Sequence, residues 1–176
     1  MSDPTPKRSK MRKARKYALD ILYSAELTSM GVDSAMATYA TMSSHEIPAY
    51  SRELAHGVVA HLRQIDRELE SSLSTGWAIE RMPIVDRVLA RIAIFEMTCA
   101  DVPPAVAISE AVSLARELST DSSPSFLTGV LSHVATEVAD FSSVRPPSGD
   151  SDRSEPAPTN SETTDNSTTV TMSTVS

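Results

Sequence analysis

Apolar residues in this chain recur every three or four positions and do not alternate one by one as a half-buried strand requires. Leu54, Val58, Leu62, Ile65, Leu69 and Leu73 form the longest stripe, opened by Pro48 and ended at Gly76. Met11, Ala14, Ala18, Ile21, Leu22 and Ala25 predict a first helix from Lys10 to Thr28, broken by Gly31. Asp33 stands where it could cap a weaker helix over Ser34 to Met42. Pro83 opens a helix from Ile84 to Cys99 whose apolar residues run nearly all round, as a central buried helix requires. Val102-Pro103-Pro104 forces a non-helical connection. Ile108, Ala111, Val112, Ala115 and Leu118 make the next stripe. Ser123-Pro124 reads as N-cap and first helical residue before Leu127, Val130, Leu131, Val134, Val138 and Phe141. An aromatic content of 5% is thin for a sheet, so the expectation is an all-α domain of six to seven helices packed as bundles.

Charge is unevenly distributed. The net charge of −7 argues against a polyanionic partner when read as one number. By segment it divides into a +6 start over residues 1–16, a −10 helical body and a −3 tail. All the lysines lie in the start. Residues 1–9 therefore read as a flexible basic arm, 10–142 as the helical domain, and 143–176 as a disordered acidic tail. That tail is rich in Ser, Thr and Pro and too poor in apolar side chains to offset its ordering entropy.

Several classes of chemistry lack their residues. A single cysteine, Cys99, excludes an intrachain disulfide framework and reads as a small core residue. The five glycines form no phosphate-cradling loop, and the four histidines lack metal-ligand spacing. No apolar run is long enough to span a membrane, and no secretory signal is present, so a cytoplasmic protein is expected. No nucleophile, base and orienting group stand together; the reading is a non-enzyme without cofactor or metal. Asp86, Arg87, Arg91 and Glu96 on the central helix read first as a salt-bridge network, with partner docking as the alternative. Asp66 and Glu70 read as a solvated face shared with Arg63 and Arg67, and Trp77 as a packing anchor at a helix junction.

The basic start is the most informative feature. Lys10, Arg12, Lys13, Arg15 and Lys16 crowd the first turns of a helix, and Lys7 and Arg8 extend the patch. Cations there oppose the helix dipole, at a cost of roughly 0.3–1 kcal/mol each when exposed. Such a cluster suits an anionic ligand, RNA first. A solubilising tail and an anionic lipid surface are the alternatives.

Four blocks of residues then resemble one family. Arg12-Lys-Ala-Arg-Lys-Tyr-Ala-Leu-Asp-Ile-Leu-Tyr23 is similar to the arginine-rich first helix of the NusB family of bacterial transcription antitermination factors. Three more follow in order: Trp77 to Glu96, Asp101 to Ala115, and Ser123 to Leu131. Together they span about Lys10 to Phe141. The resemblance implies two small helical bundles. It also implies binding of boxA-type single-stranded RNA in ribosomal-RNA operon leaders, and pairing with NusE, a small-subunit ribosomal protein. The pair would help assemble an antitermination complex on the RNA polymerase elongation complex; some members form homodimers. It carries RNA contacts over to Arg12, Lys13 and Arg15, with Lys7, Arg8, Lys10 and Lys16 extending the patch. It places Tyr23 near RNA and NusE, Phe126 near RNA, and Asp86 on the NusE-facing side. Ser122, Ser125 and Thr128 depart from the family pattern, which puts one basic RNA contact, at Ser125, in doubt. Two other readings share the motifs: a purely structural partner-binding adaptor, and a module related to ribosomal-RNA cytosine methyltransferases. The second requires a following catalytic domain.

Overall fold

The computed structural model describes the backbone of residues 6–43 and 46–144, and side chains within 8–43 and 46–139. The expected tail over 143–176 lies outside these from residue 145 onward, as do the arm's first five residues. The described residues form seven α-helices and one short 3-10 turn, with no strand. They are α1 (Pro6–Thr28), α2 (Val32–Met42), α3 (Ala49–Ala60), α4 (Leu62–Ser71), α5 (Ile84–Cys99), α6 (Pro104–Leu118) and α7 (Ser123–Val144), with the turn at Ile79–Arg81. No helix among the described residues is long and apolar enough to cross a membrane.

The helices form two groups joined by α5. The first helix packs on α2, α3 and α5, whereas α4, α6 and α7 pack around α5. Ala90, Ala93 and Ile94 of α5 are fully buried, as the all-round apolar pattern predicts. A continuous core runs from Ile21 and Leu54 through Leu89 to Leu114 and Leu131.

Four local expectations change. Helix α1 starts at Pro6, so Lys7 and Arg8 belong to it and not to a lead before it. Its end is made by Ser29, whose φ of 54° lets the Met30 N–H bond to the Ala25 carbonyl; Gly31, at φ −64°, caps α2 instead. Asp33 lies in the first turn of α2 and makes no cap bond; its carboxylate meets His56 at 2.8 Å. The long stripe after Pro48 is two helices, turned at His61 (ψ 13°). The turn lets α3 pack on α1 while α4 packs on α5 and α7, which one straight helix could not do.

Cys99 is exposed and not a core residue, because α5 ends there. Trp77 is 54% exposed, so it does not anchor the junction by burial. Asp66 pairs with Arg91 of α5 at 2.7 Å, not with its own helix. Arg87 and Arg91 both reach Glu26 of α1. These ties realise the expected network on α5, with the partners supplied by other helices.

Candidate nucleic-acid interface

The cations of α1 divide by face, and the division follows from helical spacing. Arg8, Arg12 and Lys16 stand four apart and share one face. That face lies along α6, where Glu110, Ser113 and Glu117 stand three and four apart. Arg8 Nε donates to Glu110 Oε1 at 3.1 Å. Arg12 donates to Ser113 Oγ at 2.6 Å and to Glu117 Oε2 at 3.1 Å. Lys16 Nζ donates to Glu117 Oε1 at 2.9 Å. Those two hydrogen bonds, Lys16's first, and the two positive charges hold the Glu117 carboxyl below its usual range.

Arg15 is a different case. The sequence groups it with the RNA-facing cations, but it is only 4% exposed. Its guanidinium bonds both oxygens of buried Glu96 on α5, at 2.9 and 3.0 Å, and lies 3.9 Å from Glu110 Oε2. Tyr50 of α3 donates its hydroxyl to the same Glu96, and the guanidinium stacks 5.8 Å from the Tyr50 ring centre. Burial by itself lowers the Arg15 pKa, but the Glu96 hydrogen bond and charge outweigh it, so the net shift is upward. Burial, followed by the Glu96 bond and charge, pushes the Tyr50 hydroxyl up as well. Arg15 therefore fastens α1 to α5 and α3, and presents no free donor fork to a ligand.

A neighbouring face of α1 is open. Lys10 and Lys13 are exposed, and neither has a carboxylate partner among the described residues. Lys13 Nζ lies 5.6 Å from the centre of the Tyr17 ring, which meets Tyr39 of α2 edge-on at 5.6 Å. The surface thus pairs free ammonium groups with half-buried aromatic rings. Lysines supply point charges for phosphate oxygens, and aromatic faces suit unstacked bases. Tyr23, two turns further along α1, is half-buried.

A second cluster forms where α5 and α7 begin. Phe126 is half-buried and its ring lies 6.1 Å from that of Trp77. Both line an open cavity of about 650 Å³ with Arg81, Ser122, Ser125 and Asp86. Asp86, expected to face a partner, is 2% exposed. Its Oδ2 accepts a 2.7 Å bond from Ser123 Oγ, while Oδ1 has no partner among the described residues. The Ser123 hydroxyl is thus spent on tying α7 to α5 rather than capping its own helix. The structure brings Phe126 and Asp86 to one cavity and keeps the α1 cations on another element. Among the described residues no group of His, Cys, Asp and Glu could hold a metal ion.

Sequence reasoning missed Glu110, Ser113 and Glu117. Their signal was present: an acid inside the apolar stripe of α6, and a second acid seven residues on. Nothing in the linear order says that this face meets the arginines of α1.

A model of the NusB family matches residues 12–136. The transcription antitermination protein NusB of Salinispora arenicola is 46% identical over 128 residues, covering 70% of this chain and 93% of that protein. NusB of T. maritima superposes with a TM-score of 0.64 at 24% identity, over 78% of this chain and 94% of that chain. A crystal structure of the antitermination factors NusB and NusE in complex with dsRNA aligns with a TM-score of 0.64 at 23% identity, over 72% of this chain and 96% of that one. At these identities the two structures speak for the fold.

Proposed function

The chain belongs to the NusB family, and from that premise we propose that it is an RNA-binding transcription antitermination factor. In this reading it binds boxA-type RNA of ribosomal-RNA operon leaders together with NusE and helps assemble an antitermination complex on RNA polymerase. It works in the cytoplasm as an adaptor, without a catalytic centre or cofactor. The solved NusB–NusE complex with dsRNA supports the choice of partners.

The observation that carries RNA binding in this chain is the open face of α1, where Lys10 and Lys13 stand without carboxylate partners beside Tyr17. RNA phosphates lie along this face, Arg8, Arg12 and Lys16 flank it, and Arg15 positions the helix from beneath. Phe126, with Trp77, offers a ring face to a base, and Tyr23 lies towards NusE. Asp86 acts on the NusE-facing side by holding Ser123 and the start of α7 in place.

The test is fluorescence anisotropy of a boxA-like RNA, with and without NusE, over a salt series. Lys10→Ala with Lys13→Ala should weaken binding and reduce the log–log salt slope by about 1.4, or about 0.7 for each lost single-strand contact. An affinity unchanged by the double substitution would remove RNA from this face. A purely structural adaptor would bind NusE and no RNA.

A further inference from the structure

Two cations that flank the open face are already occupied. Glu117 of α6 places one carboxylate oxygen 3.1 Å from Arg12 and the other 2.9 Å from Lys16. Arg12 and Lys16 sit one turn apart, and the carboxylate bridges them as two oxygens of a phosphodiester would. The bridge is accessible: the side chains of Arg12, Lys16 and Glu117 are 34%, 43% and 47% exposed. An RNA strand reaching the outer face of α1 meets them directly. The buried pair below it, Arg15 with Glu96, holds α1 in place whether or not this bridge is closed. The bridge can therefore open without loss of the fold.

We propose that Glu117 is an intramolecular competitor for RNA: it occupies Arg12 and Lys16 in the free protein and is displaced when backbone phosphates bind them. This rests on the RNA reading above and adds a residue that opposes binding. Its consequence is a stored, salt-sensitive penalty. RNA gains Arg12 and Lys16 only by breaking two charged hydrogen bonds, so weak, transient contacts with other RNA stay on Lys10 and Lys13. Exposed pairs of this kind are modest and screened by salt, so the effect is a tuning of affinity and not an on–off switch.

The test compares Glu117→Gln, Glu117→Asp and a charge-matched control, Glu70→Gln, an exposed acid on α4. The full chain is used with a boxA-like RNA. Glu117→Gln should bind about fivefold more tightly at low salt, the upper range for an exposed pair, and with a steeper salt slope. Glu117→Asp, which keeps the charge, should stay close to the parent, and Glu70→Gln should change little. If Glu117→Gln binds no more tightly than Glu70→Gln, or more weakly, Glu117 is only a brace between α1 and α6 and the inference falls. That result leaves the RNA reading intact as long as Lys10→Ala with Lys13→Ala still weakens binding. Loss of that second effect would instead remove RNA from the Lys10–Lys13 face, while a tighter Glu117→Gln kept the competitor.

Discussion

Removing one partner of the Arg15–Glu96 pair should destabilise the protein strongly, whereas removing both should not. The pair is buried at both ends, with side-chain exposures of 5% and 1%. Glu96→Leu leaves a guanidinium in the interior with one weaker partner, Glu110 at 3.9 Å. Among the described residues, Arg15→Met leaves a carboxylate held only by the Tyr50 hydroxyl. Breaking a buried pair in this way costs about 3–5 kcal/mol, while replacing both partners by apolar residues of similar size is often neutral. The residual Glu110 contact places Glu96→Leu near the lower end, about 3 kcal/mol. At about 2–4 °C per kcal/mol for a domain of this size, the melting temperature should fall by about 6–12 °C.

Urea unfolding of the two single variants and of Arg15→Met with Glu96→Leu measures this directly. The midpoints of the singles should drop with little change in m, and the double should return most of the loss. The double also separates two roles of Arg15. If Arg15 only positions α1, the folded double variant keeps its affinity for boxA-like RNA. A single-variant cost below about 1 kcal/mol, the range of an exposed pair, would refute the argument from burial. A folded double variant that no longer binds RNA would show that Arg15 itself reaches the ligand.

Two further outcomes follow from packing and ionisation. Gly57→Ala should destabilise by about 1–3 kcal/mol despite the better helix propensity of alanine, because its Cβ would overlap the ring of buried Phe95; a thermal melt checks this, and Phe95→Leu in the same chain should relieve it. Tyr39 is pushed up to about 12, first by burial and then by the charge of Asp20, so an ultraviolet titration should show a late phenolate step that Tyr39→Phe removes. Its sign for stability is negative between about pH 10 and 12: the unfolded chain loses this proton first, so the fold weakens as pH rises through that window. Because Tyr50 also titrates late, a late signal that Tyr39→Phe leaves unchanged would contradict the packing of Tyr39 against Asp20 and Tyr17.

Much of the fold was legible because helices write their period into the order of residues. The stripes of α5, α6 and α7 are the cores of the observed helices, and α2 ends at Met42 as predicted. What periodicity could not reveal was the direction of each helix in space. Leu54 to Leu73 keeps a helical rhythm across His61, so the turn there leaves no gap in the pattern. Residue type and neighbours make Cys99 a core residue and Trp77 a packing anchor, but exposure at an element's end depends on whether another element covers it.

The cation cluster marks the boundary most clearly. Its existence on one helix, its +6 charge and its suitability for a polyanion are properties of the residue order alone. The linear order lists seven equivalent cations. Tertiary structure makes six of them unequal, the Lys7 side chain lying outside the described residues: Arg15 is buried against Glu96, Arg8, Arg12 and Lys16 are held by α6, and Lys10 and Lys13 remain open. The physical reason is that a charge acts through distance and solvent exposure. Both depend on which helices meet, and residues about a hundred positions apart in the chain decide that here.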